Sequence, residues 1–147
     1  MPSTHLSLHY HLVFGTKDRH PFLTHEYRDR VHAYLGGTVR GLGGVAITVG
    51  GTADHVHLLA GLKATHRLSD FMRELKHESS QWIHEELKLS KFAWQEGYGA
   101  FSVSRSDIDR VTQYIQNQEE HHRTRSFQEE YLEFLREAGI DFDPKYL

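Results

Sequence analysis

The sequence predicts an α+β fold: a ferredoxin-like (RRM-like) antiparallel sheet with helices on one face, followed by further C-terminal helices. Three observations carry this expectation. Short runs of alternating apolar and polar residues mark strands, and two long segments with apolar residues at helical spacing lie between them. The resulting order is β-α-β-β-α-β and then two helices, in which the first and third strands are central neighbours.

The first strand is read from Leu6, Leu8, Tyr10, Leu12 and Phe14, which alternate with Ser7, His9 and His11 and end near Thr16. Thr24 caps a helix carrying Tyr27, Val31, Tyr34 and Leu35, with Gly36-Gly37 weakening its second half. The glycine-rich turn at 41–44 leads into a strand at 45–49. Gly50-Gly51 then opens a hairpin into a strand running from His55 to about Leu62. Leu68, Phe71, Met72, Leu75, Trp82, Ile83 and Leu87 place a long helix over residues 68–87. In the loop that follows, Trp94 and Tyr98 read as a plug for the core. A short strand at 101–104 precedes a helix capped by Ser106 or Asp107 and bearing Tyr114. The last helix covers 126–138, with Gly139 ending it before a polar tail. With no repeat, low-complexity tract or linker, the chain reads as one domain, 1–147, with 126–147 as a C-terminal helical extension.

Composition narrows the classes. The apolar fraction of 38% and charged fraction of 25% are ordinary for a globular protein. No run of about 18 apolar residues is present to span a membrane. The opening Met-Pro-Ser-Thr-His lacks the pattern of a signal peptide, so a cytoplasmic location is expected. The absence of cysteine leaves histidine, carboxylate and amide groups as the available metal ligands. The net charge of −3 excludes a wholly basic protein, yet it is uneven: residues 119–147 hold eight acids against four bases. The first 118 residues are therefore close to neutral, and thirteen histidines add positive charge below about pH 6.5.

Two motifs carry chemistry. His55-Val56-His57 sits in Asp54-His-Val-His-Leu-Leu-Ala60; histidines one residue apart on a strand share a face and offer two imidazole nitrogens to one divalent ion. The same pattern also fits a half-exposed strand with polar residues outward, and His9-Tyr10-His11 repeats it. Tyr114 and Gln118, four residues apart on a helix, share a face and pair a phenol nucleophile with an amide ligand. Either residue alone reads as packing or surface; together with the histidine pair they form a specific constellation.

With these residues, the chain resembles the single-tyrosine HUH transposases of bacterial insertion sequences, including their domesticated palindrome-associated relatives. The resemblance rests on Tyr10-His-Leu-Val-Phe-Gly-Thr-Lys17, Asp54-His-Val-His-Leu-Leu59, the loop from Trp94 to Tyr98 and Tyr114-Ile-Gln-Asn-Gln118. Ala53 stands where the family often has proline, and the acidic stretch after Gln118 is longer than in minimal members. The resemblance implies metal ligation by His55, His57 and Gln118, with Mg2+ or Mn2+ as the ion and Tyr114 as nucleophile. The implied activity is cleavage and rejoining of single-stranded DNA through a 5′-phosphotyrosine, by a homodimer acting on hairpin-containing strands. His11, Lys17, Arg19, Arg73, Lys76 and His77 are the candidate DNA contacts. For His11 the alternative is a structural strand residue, and for the Arg73, Lys76 and His77 stripe a solvated helix face. Two other functions fit the same residues: a non-catalytic nucleic-acid-binding protein or repressor, and a hydrolytic metal nuclease in which Tyr114 is structural.

Overall fold

A computed structural model describes residues 3–146. Met1 and Pro2 of the N-terminal segment and the last residue of the 126–147 extension lie outside the described residues. Strands β1 (His9–Gly15), β2 (Val45–Gly51), β3 (His55–Gly61) and β4 (Gly99–Val103) form one antiparallel sheet in the order β2-β3-β1-β4. Between and after them come α1 (His25–Gly41), α2 (Leu68–Glu86), α3 (Ile108–Gln116), α4 (Gln118–His121) and α5 (Phe127–Glu137). The expected α+β sheet is present, with β1 and β3 at its centre, and the C-terminal helices lie on the face that α1 and α2 leave open.

The strand pleat separates the two layers. Leu12 and Phe14 of β1 and Val56, Leu58 and Ala60 of β3 point to one face, where Leu35 and Val39 of α1 and Phe71, Leu75 and Ile83 of α2 cover them. Trp94 closes this core from the loop before β4, its Nε1 donating to Ser79 Oγ at 2.9 Å. The alternate residues of the same strands, among them His11, His55, His57 and Leu59, face the other layer. There Ile108, Val111 and Ile115 of α3 pack on Leu59 and Val103.

Several boundaries differ from the periodicity for local reasons. β1 begins at His9 because β3 and β4 reach only as far as its partners Gly61 and Val103. α1 continues through Gly36-Gly37 to Gly41, since burial of Leu35 and Val39 against the sheet outweighs the low helix propensity of glycine. β4 starts at Gly99, earlier than the alternation suggested. The helix bearing Tyr114 is interrupted at Asn117 (φ −102°, ψ 27°), whose N–H is shared between the carbonyls of Gln113 and Tyr114. Ser126 forms a capping box with Glu129 and fixes the start of α5. No helix among the described residues is long and apolar enough to cross a membrane.

α3 rides directly on β2 at Gly50. A Cβ on Gly50 would overlap the Ile115 carbonyl and lie 2.9 Å from Ile115 Cγ2. Gly50→Ala is therefore expected to lift α3 off the sheet and cost about 1–3 kcal/mol, the usual range for overpacking. Urea unfolding checks this; an unchanged midpoint would show that α3 accommodates the methyl group.

Candidate active site

His55 and His57 are fully buried, and each has its outer ring nitrogen engaged. His55 Nδ1 lies 2.8 Å from Asp54 Oδ1, and the Asp54 carboxylate also accepts from Thr52 Oγ1 at 3.2 Å. His57 Nδ1 shares a 2.7 Å hydrogen bond with Nε2 of His11, which reaches it diagonally from β1. A partner on Nδ1 orients the ring and leaves Nε2 for whatever lies inside, the arrangement typical of histidines that bind metals.

Gln118 and Tyr114 come from the two sides of the break at Asn117. Gln118 Nε2 donates to the Tyr114 carbonyl at 3.3 Å, which turns Oε1 inward to 2.9 Å from His55 Nε2. α4 is tied to α1 by Arg28, which donates to Glu119 Oε1 at 2.5 Å. One turn after Gln118, His122 Nδ1 donates to the Arg125 carbonyl at 2.9 Å and its Nε2 lies 3.1 Å from Gln118 Oε1. The phenol ring of Tyr114 stacks on His121, with centroids 4.4 Å apart.

α5 completes the site from above. Phe127 stacks on the His55 ring at 4.2 Å and almost parallel, in the space opposite Gly15, where a Cβ would collide with it. Phe134 meets His11 and His57 edge-on. Between these two aromatics Glu130, with no exposure to solvent, inserts its carboxylate. Oε1 lies 2.9 Å from His57 Nε2, 3.1 Å from His122 Nε2 and 3.6 Å from His55 Nε2. Oε2 accepts a short hydrogen bond from the Tyr114 hydroxyl. Arg125 Nη2 donates to the Tyr114 oxygen at 2.7 Å, and the same guanidinium pairs with Glu133.

This donor set fits a cation. His55 and His122 give their Nδ1–H to oxygens that only accept, so in their neutral forms both present an Nε2 lone pair inward. Those lone pairs face Gln118 Oε1 and Glu130 Oε1, which are also electron-pair donors. Electron pairs converging on one point repel unless a metal ion or added protons lie among them. The ligand atoms of His55, His57, His122 and Glu130 lie within 4.8 Å of one another, so this buried group could hold a metal ion, with nitrogen and oxygen donors of the kind that suit a divalent one.

Of the residues singled out in the sequence, His11, His55, His57, Tyr114 and Gln118 meet at this point. Lys17 and Arg19 lie on an exposed turn after β1, and Arg19 borders a cleft that Phe127 also lines. Arg73, Lys76 and His77 lie on α2, on the opposite side of the sheet. There Arg73 pairs with Asp70 at 3.2 Å, and the Lys76 ammonium donates to the carbonyls of Gln95 and Gly97. Sequence reasoning gave no role at this site to Asp54, Arg125 or Glu130, and read His122 only as part of the His121-His122-Arg123 run that closes the Tyr114 helix with positive charge. His122 extends the four-residue step from Gln118, and Glu130 interrupts the apolar stripe of Phe127 and Phe134; both signals were present in the sequence.

Burial holds two of the imidazoles, those of His11 and His57, neutral. The pKa of His11 is lowered to about 3 by burial and then by the nearby His57, against the pull of Glu130. That of His57 is lowered to about 4 by burial, with its hydrogen bond to Glu130 opposing. For Glu130, burial acts to raise the pKa, but its bonds with His122 and His57 outweigh burial and hold the carboxyl well below the usual range. Burial, followed by the bond to Glu130, pushes the Tyr114 phenol above its ordinary value. As pH falls from 6.5 toward 4, imidazoles in the unfolded chain take up protons while His11 and His57 in the fold do not. The metal-free protein is therefore expected to be most stable above pH 6.5 and to lose stability progressively below it. Loss of the Glu130 contribution adds to the same trend below its ordinary value of 4.5. Melting temperatures across pH 4–7 check this, and a flat profile would contradict neutral buried histidines.

Known proteins resemble this chain to differing extents. The family described as "Transposase IS200 like" matches residues 4–118. The ISDra2 transposase TnpA of Deinococcus radiodurans is 29% identical over 117 residues, which are 76% of this chain and 84% of the relative. A crystal structure of a Deinococcus radiodurans R1 protein described as a transposase superposes with a TM-score of 0.62 at 26% identity, over 80% of this chain and 96% of that one. A REP-associated tyrosine transposase bound to a REP hairpin shares the fold at a TM-score of 0.54 and 16% identity, over 78% of this chain and 70% of that one. The match over residues 4–118, most of the chain, shows that this protein belongs to the IS200-like transposase family.

Proposed function

We propose that this transposase cuts and rejoins single-stranded DNA in a metal-dependent reaction, with Tyr114 as the nucleophile and a 5′-phosphotyrosine as the intermediate. The observation that carries the reading is the position of the Tyr114 hydroxyl. It is one carboxylate away from the inward-facing nitrogens of His55 and His57 and within reach of the Arg125 guanidinium. A water-using nuclease gives no reason for a phenol oxygen to be held at that point.

His55, His57 and Gln118 would hold the ion, Mg2+ or Mn2+, with Asp54 and His11 fixing the two imidazoles from behind. When bound, the ion supplies neutralisation of the charge that develops on a phosphate and orientation of its leaving oxygen. Tyr114 attacks phosphorus, the bond to the 3′-oxygen breaks, and the 5′-phosphate remains on the tyrosine. The phosphodiester energy is kept in that bond, so rejoining by attack of a 3′-hydroxyl needs no nucleotide cofactor.

An open groove of about 390 Å³ leads to Tyr114 between β4, α3 and α5, with His11, Arg110 and Arg125 on its walls alongside Asp107, Glu133 and Glu137. It suits a single strand or an unpaired flank, since a B-form duplex would have to melt to bring one phosphate to the phenol. The REP hairpin held by the structural neighbour supports a folded single strand as substrate. Lys17 and Arg19 are the backbone contacts we favour near the site; Arg73, Lys76 and His77 would serve DNA passing behind the sheet. We place the protein in the cytoplasm, as a homodimer in which each chain carries Tyr114 beside its own His55 and His57.

Incubation of the protein with manganese and a hairpin-bearing, 3′-labelled strand should give a DNA adduct that survives denaturation. Tyr114→Phe should abolish the adduct and leave DNA binding in place; cleavage that persists in this variant would overturn the reading. Manganese at a hundredfold excess over its dissociation constant should stabilise the protein by about 2.7 kcal/mol. That gain should vanish in the double variant His55→Ala, His57→Ala. Equal stabilisation of both proteins would put the ion elsewhere.

A further inference from the structure

His122 and Glu130 lie beyond residues 4–118, the segment that matches the family, yet both aim electron-pair donors at the centre of the site. Glu130 Oε1 stands 2.9 Å from His57 Nε2, 3.1 Å from His122 Nε2 and 3.6 Å from His55 Nε2. Gln118 Oε1 stands 2.9 Å from His55 Nε2 and 3.1 Å from His122 Nε2. On a divalent ion with bonds of about 2.1 Å, neighbouring donors lie about 3 Å apart in an octahedral shell and about 3.4 Å apart in a tetrahedral one. The spacings in this cluster are those of donors sharing one coordination shell.

Resting on the metal-dependent reading above, we propose that His122 and Glu130 are further ligands of the ion. With His55, His57 and Gln118 they make a site for a transition-metal ion that excludes magnesium. Protons alone do not account for the cluster. His55 and His122 commit their Nδ1–H groups to Asp54 and to the Arg125 carbonyl. A proton on each Nε2 therefore makes two imidazolium rings with centroids 4.5 Å apart, one fully buried and the other nearly so. A dication satisfies all five donors at once. Two carboxylates balance its charge, Glu130 among the ligands and Asp54 behind His55, while Arg125 is paired with Glu133.

The donor types set the metal. Three imidazole nitrogens suit first-row transition ions, with cobalt bound more tightly than manganese. Magnesium prefers oxygen and keeps several waters. His55, His57 and Glu130 have no exposure to solvent, and Phe127 lies flat over His55, so an ion held among them is stripped of most of its water. The capping box at Ser126 and the Phe127 stack fix the start of α5, and so set where the Glu130 ligand stands.

The experiment uses the full chain without DNA. Affinities for Mn2+, Co2+ and Mg2+ are measured by calorimetry, and folding is followed by thermal melts. Pulsed electron paramagnetic resonance of bound Mn2+ counts coordinated imidazole nitrogens, and glutamate labelled with 13C at its carboxyl reports whether a glutamate is bound. The expected wild-type result is three imidazole nitrogens and a strong 13C coupling. His122→Gln should leave two nitrogens, and Glu130→Gln should keep three and lose the 13C coupling. Each variant should weaken Mn2+ binding about tenfold or more, since even partners behind a ligand cost that much. Co2+ should displace Mn2+, and about a hundredfold excess of Mg2+ should not. Two nitrogens in wild type, a wild-type spectrum without the 13C coupling, or displacement by Mg2+ would overturn the proposal. The wild-type spectra decide it even where a variant fails to fold. If the double variant His55→Ala, His57→Ala binds Mn2+ as wild type does, the metal reading itself fails, an outcome distinct from failure of His122 and Glu130 alone.

Discussion

A carboxylate sealed from water sits where the two halves of this protein meet. At Glu130, β3, α3, the segment after α4 and α5 meet through hydrogen bonds: to His57, Tyr114 and His122 from its own place on α5. A buried charge of this kind is tolerated only if every lone pair has a partner, and removal of one partner leaves the charge exposed to an apolar surrounding. The orientations of the surrounding rings follow from that requirement. His57 is backed by His11, His122 by the Arg125 carbonyl, and Tyr114 is held between Glu130 and Arg125.

The strand pleat makes this possible with few residues. One face of β1 and β3 is wholly apolar and carries α1 and α2, which gives the sheet its stability. The other face is freed to present His11, His55 and His57 without competing for the main core. The second layer is smaller: α3 contributes Ile108, Val111 and Ile115, and α5 contributes Phe127 and Leu135. Gly50 lets α3 approach the sheet closely, and that approach puts Tyr114 at the right height over the histidines. Packing and chemistry are therefore coupled through a single helix.

The parts of the site that could be read in the sequence were those governed by short-range periodicity. His55 and His57 follow from strand alternation, and Tyr114 with Gln118 from the helical repeat, even though the helix breaks at Asn117 and Gln118 is carried by α4. The first and third strands were expected side by side, so the approach of His11 to His57 was also foreseeable. What escaped was long-range. Nothing local to residues 119–137 says that this acidic stretch folds back over the sheet, so Glu130 was one acid among eight and Arg125 one base among four. The capping box fixes where α5 starts but not what it lies against. The apolar stripe of Phe127 and Phe134 interrupted by an acid was the one indication that Glu130 faces inward.

In the proposed reaction, the direction from which DNA would reach Tyr114 is limited by the same geometry. On the His55 side, Phe127 stacks flat over the ring and closes the approach. Behind the sheet, α1 and α2 cover both central strands. The groove between β4, α3 and α5 reaches Tyr114 itself, which is half-buried there, with Arg110 and Arg125 on its walls beside Asp107, Glu133 and Glu137. A phosphate entering there would meet the phenol oxygen before His55 and His57, with two guanidinium groups beside its path. In a chain with net charge −3 and an acidic C-terminal segment, attraction for DNA has to be local. Arg110 and Arg125 would supply it by exchanging their present partners in the groove, Asp107 and Glu133, for a phosphate.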